Sequence, residues 1–238
     1  SYTDSRAIHM TGAGDLDVNS GATITLSGVI DGSGGALTKS DTGTLVLSGN
    51  NTYDQGTTLS GGTLRVASNT AIGTGALTFG AASTLNSATD RTIANNVALG
   101  ADATVDVASS QTMTLSGVVS GASTLTKTSA GTLALIGTNT YTGDTTISTG
   151  TVVANSAASL GDSSAGLVLD GGTLDATASF TDSRAVSMSD SGTINVGSGL
   201  TVTMSGVVSG AGGALTKAGS GTLALAGVNT YDQGTILN

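Results

Sequence analysis

The sequence predicts an all-β fold, and three observations lead to that prediction. Short runs alternate apolar and polar residues, as in Thr23–Ser27 and Thr44–Ser48, and a period of two is typical of strands with one buried face. Gly and small polar residues interrupt these runs about every ten residues, as expected for short strands joined by turns. The chain also repeats itself, because Gly213–Thr235 differs from Gly35–Thr57 at only six of 23 positions.

Landmarks elsewhere set the length of the repeating unit at 89 residues. Leu26-Ser27-Gly28 returns as Leu115-Ser116-Gly117, and Thr3–Ala7 returns as Thr181–Ala185 after twice that distance. A period of this length is long for one coil of a solenoid, so each unit should contain several coils. The sequence therefore predicts a β-solenoid, in which parallel strands stack from coil to coil.

The repeat also predicts how the chain is organised. We expect two complete units, 1–89 and 90–178, and a partial unit, 179–238. No Pro-rich or charged linker separates them, so we expect one continuous rod rather than separate domains. If each unit holds about four coils of some 22 residues, the rod has about eleven coils and is near 50 Å long.

Composition excludes several classes of protein. The 238 residues include 37 Gly but no Pro, Cys or Trp, and charged residues make up only 10%. Regular apolar positions and a mean hydropathy of +0.23 argue against disorder. The net charge is −9, all sixteen acids are Asp, and the seven basic residues are scattered, so we expect no nucleic-acid partner. No apolar run is long enough for a membrane-spanning helix, so we expect no membrane insertion by this segment.

A resemblance to a known family rests on a short series of motifs. Leu37-Thr38-Lys39, Gly43–Gly49 and Asn51-Thr52-Tyr53 resemble the passenger-associated transport repeat, also called the autotransporter-associated β-strand repeat. The series recurs over Leu125–Val152 and, shortened, over Leu215–Leu237. The resemblance implies a right-handed parallel β-helix in an autotransporter passenger domain, extracellular or at the cell surface of a Gram-negative bacterium. It also implies a longer parent chain with a signal peptide and a C-terminal outer-membrane barrel.

Few residues could carry chemistry. His9 is the only histidine and its counterparts are Ser187 and Ala98, so we expect it to be a solvated surface residue. With no Cys, a tetrahedral zinc site is not expected. Asp15 and Asp17 should share the outer face of a strand, where a carboxylate pair could serve as acid and base.

That carboxylate pair does not recur in the other units, so we interpret it as ordinary solvated surface. Gly12–Asp17 also approximates the glycine-and-aspartate nonapeptide of calcium-binding β-rolls, but no nonapeptide period accompanies it. We therefore predict no catalytic, cofactor or metal site and no bound cofactor.

Several sets of residues each occupy one position of the repeat. We expect the Tyr rings to cover the flank of the rod beside a turn, and the Lys side chains to be isolated positive points near turn residues such as Asp41. We expect the Asn side chains to hold bends. We expect the Thr triplets to lie about four coils apart, too far from one another to form a ladder. Replacing the Gly residues with alanine should cost stability only where the backbone angle φ is positive. The sets are Tyr53, Tyr141 and Tyr231; Lys39, Lys127 and Lys217; Asn51, Asn139 and Asn229; the triplets starting at Thr23, Thr112 and Thr201; and Gly43, Gly131 and Gly221.

The function expected from these observations is mechanical and adhesive. We predict a non-enzymatic fragment of a secreted or surface-displayed passenger that acts as a β-helical stalk or adhesin in cell adhesion and autoaggregation. Its partners would be a second copy of the chain or a host-cell surface glycan. Two alternatives stay open: the scaffold part of a secreted toxin or host-signalling passenger, and a β-helical enzyme that cleaves polysaccharides with several Asp residues in a cleft.

Overall fold

The computed structural model describes all residues from 1 to 238. Thirty short strands and one turn of 3-10 helix make up its regular structure. In chain order the strands are β1 Tyr2–Asp4, β2 Ile8–His9, β3 Ala13–Asp17, β4 Thr23–Leu26, β5 Ile30–Asp31, β6 Ala36–Ser40, β7 Thr44–Leu47, β8 Thr57–Leu59, β9 Thr63–Val66, β10 Leu77–Phe79, β11 Ser83–Ser87, β12 Arg91–Ile93, β13 Val97–Leu99, β14 Ala103–Val107, β15 Thr112–Leu115, β16 Val119–Gly121, β17 Leu125–Thr128, β18 Thr132–Leu135, β19 Thr145–Ile147, β20 Thr151–Ala154, β21 Leu167–Leu169, β22 Thr173–Ala176, β23 Phe180–Asp182, β24 Val186–Met188, β25 Gly192–Val196, β26 Thr201–Met204, β27 Val208–Ser209, β28 Leu215–Ala218, β29 Thr222–Leu225 and β30 Thr235–Leu237. The 3-10 helix is Ala157–Leu160.

All the strand pairs are parallel and join successive coils. Face 2 is the eleven-stranded sheet that runs from β1 and β4 to β27. Face 3 consists of β2 and β5 and then the eight-stranded sheet from β12 to β30. Face 1 consists of the six-stranded sheet from β3 to β16 and, later in the chain, β23, β26 and β29. Chain order visits the faces in turn, so the fold is a parallel β-helix of about eleven coils.

The predicted β-solenoid is therefore confirmed, and the right-handed winding implied by the resemblance stays a prediction. No helix in the structure has the length and apolar character needed to cross a bilayer.

The core follows from the alternation of apolar and polar residues. Leu45 and Leu47 are fully buried, whereas Thr44 and Val46 face outward and are half-buried. Parallel pairing places Leu45 beside Leu64 on the next coil, and the same stacking continues through one cluster of 45 buried residues. Each strand is too short to be stable alone, so burial between neighbouring coils supplies the stability of the rod.

Successive units are rotated about the axis of the rod. Thr23 and Ser209 lie nine coils apart on face 2, which gives about 21 residues a coil. An 89-residue shift therefore spans about four and a third coils, rather than the four estimated from the sequence. Accordingly, Lys39, Lys127 and Lys217 lie on faces 1, 2 and 3.

The glycines of the Gly-Thr-Leu motif are required by space rather than by backbone angle. None of Gly43, Gly131 and Gly221 has a positive φ, which on backbone angle alone predicts a small cost for alanine. That expectation is wrong because the preceding coil leaves no room for a Cβ. A Cβ at Gly131 would lie 2.3 Å from the carbonyl oxygen of Ala108 on the preceding coil. The two coils approach so closely here that any side chain must push them apart.

We expect Gly131→Ala to lower the free energy of unfolding by about 1 to 3 kcal/mol, the usual cost of overpacking. Gly12→Ala is the matched control, because no atom lies within 4 Å of its added Cβ and its φ is not positive. Urea unfolding followed by circular dichroism measures both. Equal stability of the two variants would contradict the close approach.

Candidate functional site

The outer surface of the rod is more negative than the net charge indicates. Four of the seven basic side chains are buried, whereas only one of the sixteen Asp residues, Asp182, is buried. The exposed and half-exposed basic residues are therefore Arg6, Arg65 and Arg91. Fifteen carboxylates but only three guanidinium groups are exposed or partly exposed, so any partner meets a mostly anionic and hydroxylated surface.

The repeated lysines lie inside the rod, so the prediction of isolated positive surface points was wrong. Lys127 pairs with Val105 and Ile147 in an inward-facing row, and its side chain is fully buried. Its ammonium donates to the carbonyl oxygens of Ser129, at 2.6 Å, and Thr149, at 3.4 Å. The stem packs as an aliphatic side chain while turn carbonyls solvate the charge. Burial lowers the pKa of Lys127 to about 8.

Lys39 repeats the arrangement of Lys127 and shows which signal in the sequence could have found it. Its Nζ donates to the carbonyl oxygens of Ser40 and Asp41 at 2.8 and 2.6 Å, and burial lowers its pKa. It thus bonds to the backbone of Asp41, not to the carboxylate. In Leu37-Thr38-Lys39, a period of two puts Lys39 on the same side as the buried Leu37.

The tyrosines also lie in the core rather than on the flank. Tyr53 and Tyr141 are fully buried, and their hydroxyls lie 2.6 Å from the hydroxyls of Thr57 and Thr145. Burial raises the pKa of each of these tyrosines to about 12. Tyr231, close to the end of the chain, is half-buried and makes the same contact with a threonine.

The asparagines connect three coils instead of bonding their own bends. Asn139 is buried, and its Oδ1 accepts from the backbone N–H of Val119 at 2.8 Å. Its Nδ2 donates to the carbonyl oxygen of Ser159 at 2.6 Å. Asn51 does the same between Ile30 and Ala71. The Asn and Tyr side chains of the Asn-Thr-Tyr motif therefore form polar connections inside the rod, whereas Thr52 and Thr140 between them are exposed.

The buried ion pair between Arg184 and Asp182 was not predicted from the sequence. Arg184 is 1% exposed, and its Nε donates to the carboxylate of Asp182 at 2.6 Å. Its other guanidinium nitrogens donate to the carbonyl oxygens of Leu160 and Ala157, both at 2.7 Å, in the coil below. The counterpart pair, Arg6 and Asp4, has the same local sequence, but the Arg6 side chain is 80% exposed.

The residues weighed for chemistry stay on the surface. The His9 side chain is 71% exposed, and its Nδ1 lies 2.6 Å from Oδ1 of Asp31. Asp15 and Asp17 are exposed on the outer side of β3, and Asp15 accepts from the hydroxyl of Ser40. The stretch from Gly12 to Asp17 thus forms mostly strand. The structure contains no group of three or more His, Cys, Asp or Glu side chains placed to hold a metal ion.

Two ladders of threonine run along the outside of the rod. The Thr triplets starting at Thr23, Thr112 and Thr201 lie in three different sheets, and other residues complete the ladders. On face 2 the aligned residues are Thr23, Thr44, Thr63, Thr84, Thr104, Thr126 and Thr146. On face 3 they are Thr112, Thr132, Thr151, Thr173, Thr193 and Thr216. The ladders place one half-buried threonine on each of seven successive coils of face 2 and six of face 3, about 4.8 Å from the next.

Comparison with known proteins supports the resemblance found in the sequence. The family described as passenger-associated-transport-repeat matches residues 37–66, 125–154 and 215–238. The chain is 37% identical over 263 aligned residues to the protein named adhesin BmaC autotransporter from Brucella suis biovar 1 (strain 1330). The match covers 96% of this chain and 8% of that relative, so the chain spans a small part of the relative's length.

No solved structure gives a significant match. The three repeats, the parallel β-helix and the match along nearly the whole chain agree with one another. The chain belongs to the autotransporter passenger domains that carry passenger-associated transport repeats.

Proposed function

We propose that this chain is a non-enzymatic stalk segment of a bacterial adhesin, which binds other copies of itself through its outer faces. As an autotransporter passenger segment, it is extracellular or at the surface of a Gram-negative bacterium. The relative in Brucella suis bears the name adhesin, which supports an adhesive role for the parent protein. We also propose that units 1–89, 90–178 and 179–238 form one continuous rod.

The observation that carries the proposal is the pair of threonine ladders. Threonine hydroxyls both donate and accept hydrogen bonds, and here they repeat once per coil along one face. Two such faces share one period, so when one pair of hydroxyls is aligned the following pairs are aligned too. Each contact is weak, but linked contacts raise the effective concentration of the next and strengthen the whole association.

The charge of the rod predicts how this association depends on salt. The anionic surfaces of two rods repel each other, and the range of that repulsion falls from about 30 Å at about 10 mM salt to about 8 Å near 150 mM. We therefore expect beads coated with the chain to clump faster as salt is raised over this interval. Light scattering follows the rate of clumping.

A triple variant tests whether the ladder is the surface that associates. Replacing Thr63, Thr84 and Thr104 with aspartate should slow clumping at least tenfold near 150 mM salt, because like charges then oppose each other along the ladder. The control changes Thr138, Thr140 and Thr142, which are exposed but outside both ladders, and it adds the same charge. Equal slowing by the two variants would refute association through the ladder.

A further inference from the structure

A shallow polar groove of about 280 Å³ lies on face 3, where β12 and β15 stack. It is separate from the inward-facing motifs that define the family repeat. None of the side chains that line it is apolar. They are Asn69, Asp90, Arg91, Thr92, Thr112 and Thr114.

The three units of the chain share the threonines of this groove and differ in its other residues. Thr92, Thr112 and Thr114 have threonine counterparts in both of the other units. At the position of Asp90 the other units have serine, and Arg91 is replaced by Tyr2 and Phe180. Asn69 corresponds to an alanine. At the junction of the first and second units, Asn69 therefore adds an amide, and Asp90 and Arg91 add a carboxylate and a guanidinium group, to threonines that all three units possess.

Backbone contacts fix the two acceptor groups in place. Oδ1 of Asn69 accepts from the N–H of Thr92 at 3.1 Å, and Oδ1 of Asp90 accepts from the N–H of Thr112 at 2.7 Å. These bonds leave Nδ2 of the amide and Oδ2 of the carboxylate without partners in the chain. The three threonine hydroxyls of the groove also make no hydrogen bond within the chain. Groups held in place in this way lose little freedom when a ligand binds.

The guanidinium of Arg91 is anchored beside them. It donates to the carbonyl oxygens of Asp90 and Ala67, both at 2.6 Å. Its Nε is buried without a hydrogen-bond partner. Arg91 thus forms a fixed positive edge next to the carboxylate of Asp90, on a rod whose surface is otherwise mostly anionic.

This set of groups suits one class of ligand. Neighbouring sugar hydroxyls each donate and accept hydrogen bonds. They can therefore donate to the free carboxylate oxygen of the groove, accept from its free amide, and do either with its threonine hydroxyls. The absence of an apolar wall disfavours aromatic or lipid ligands, and the anionic surroundings disfavour acidic ones. We propose that this groove binds a ring of a neutral saccharide, with Asp90 accepting from one hydroxyl and Asn69 donating to an adjacent one. The saccharide is a second partner, besides other copies of the chain, for the adhesin proposed above. Its biological setting rests on that proposed function.

The test uses the full chain labelled with ¹⁵N and titrated with methyl mannoside, methyl galactoside, methyl glucoside, N-acetylglucosamine and glucuronate. We expect at least one neutral sugar to shift the amide signals of Thr92, Thr112 and Thr114 with a dissociation constant of roughly 1 mM. Asn69→Ala combined with Asp90→Ser should weaken that binding at least tenfold. Serine can keep the backbone contact, because Ser179 accepts from the N–H of Thr201 at 2.9 Å in the equivalent place.

Asp102→Ser is the control, since Asp102 accepts from the N–H of Thr124 in a similar way on face 2, and it should leave binding unchanged. The proposal is overturned if no neutral sugar shifts these amides, if glucuronate binds more tightly, or if the double variant binds as the parent does. The bead-clumping experiment measures self-association through the threonine ladders and does not depend on sugar binding. The self-association proposal and the saccharide proposal can therefore each be refuted without the other.

Discussion

Replacing Arg184 with leucine should lower the free energy of unfolding by about 3 to 5 kcal/mol. The substitution leaves the carboxylate of Asp182 buried without its partner, and it frees the carbonyl oxygens of Leu160 and Ala157 from their donors. An uncompensated buried charge is among the most destabilising changes a protein can carry. Urea unfolding followed by circular dichroism measures the loss.

The repeat supplies a control with the same local sequence. Arg6 also pairs with an aspartate two residues earlier, but its side chain is 80% exposed. Exposed ion pairs contribute about 1 kcal/mol or less, so Arg6→Leu should change stability far less than Arg184→Leu. Adding Asp182→Asn to Arg184→Leu should recover part of the loss, because it removes the stranded charge. Equal losses from the two arginine variants would contradict the assignment.

Asn139→Ala should lower the free energy of unfolding by about 2 to 5 kcal/mol. The change strands the N–H of Val119 and the carbonyl oxygen of Ser159, which Asn139 satisfies in two different coils. Each buried group left without a partner costs about 1 to 3 kcal/mol. The measurement is the same urea unfolding experiment.

The neighbouring Thr140→Ala serves as control, because Thr140 is exposed in the same extended segment. Its effect should stay within about 0.5 kcal/mol. Hydrogen exchange gives an independent check. In Asn139→Ala the amide of Val119 should exchange faster than in the parent chain, and an unchanged rate would contradict the role given to Asn139.

The fold was predictable from the sequence because its two main signals are local. The period of two identified Leu45 and Leu47 as inward-facing, and the tandem repeat indicated stacked coils. The same period also puts Lys39 on the inward side with Leu37, and the prediction that it lies on the surface was wrong because it followed residue type alone. The lesson is physical: a long aliphatic stem can occupy a core position wherever backbone carbonyls lie within reach of its ammonium.

Other features depend on contacts that no local pattern encodes. Arg6 and Arg184 share their neighbours in sequence, and only the coil below Arg184 makes it a buried residue. The threonine ladders were hidden because the spacing from one coil to the next varies between 19 and 22 residues along face 2. The saccharide groove combines residues from three coils. Only the stacking of coils brings such residues together.

Distances between spin labels test the central claim, that one continuous stack of parallel coils spans the chain. The chain has no cysteine, so pairs of cysteines can be introduced on face 2 and labelled without side reactions. Thr44 with Thr126, Thr23 with Thr146, and Thr23 with Ser209 lie four, six and nine coils apart. At about 4.8 Å a coil, the separations should be about 19, 29 and 43 Å. Separations that rise in this proportion would support the account, and a longest pair no farther apart than the shortest would contradict it.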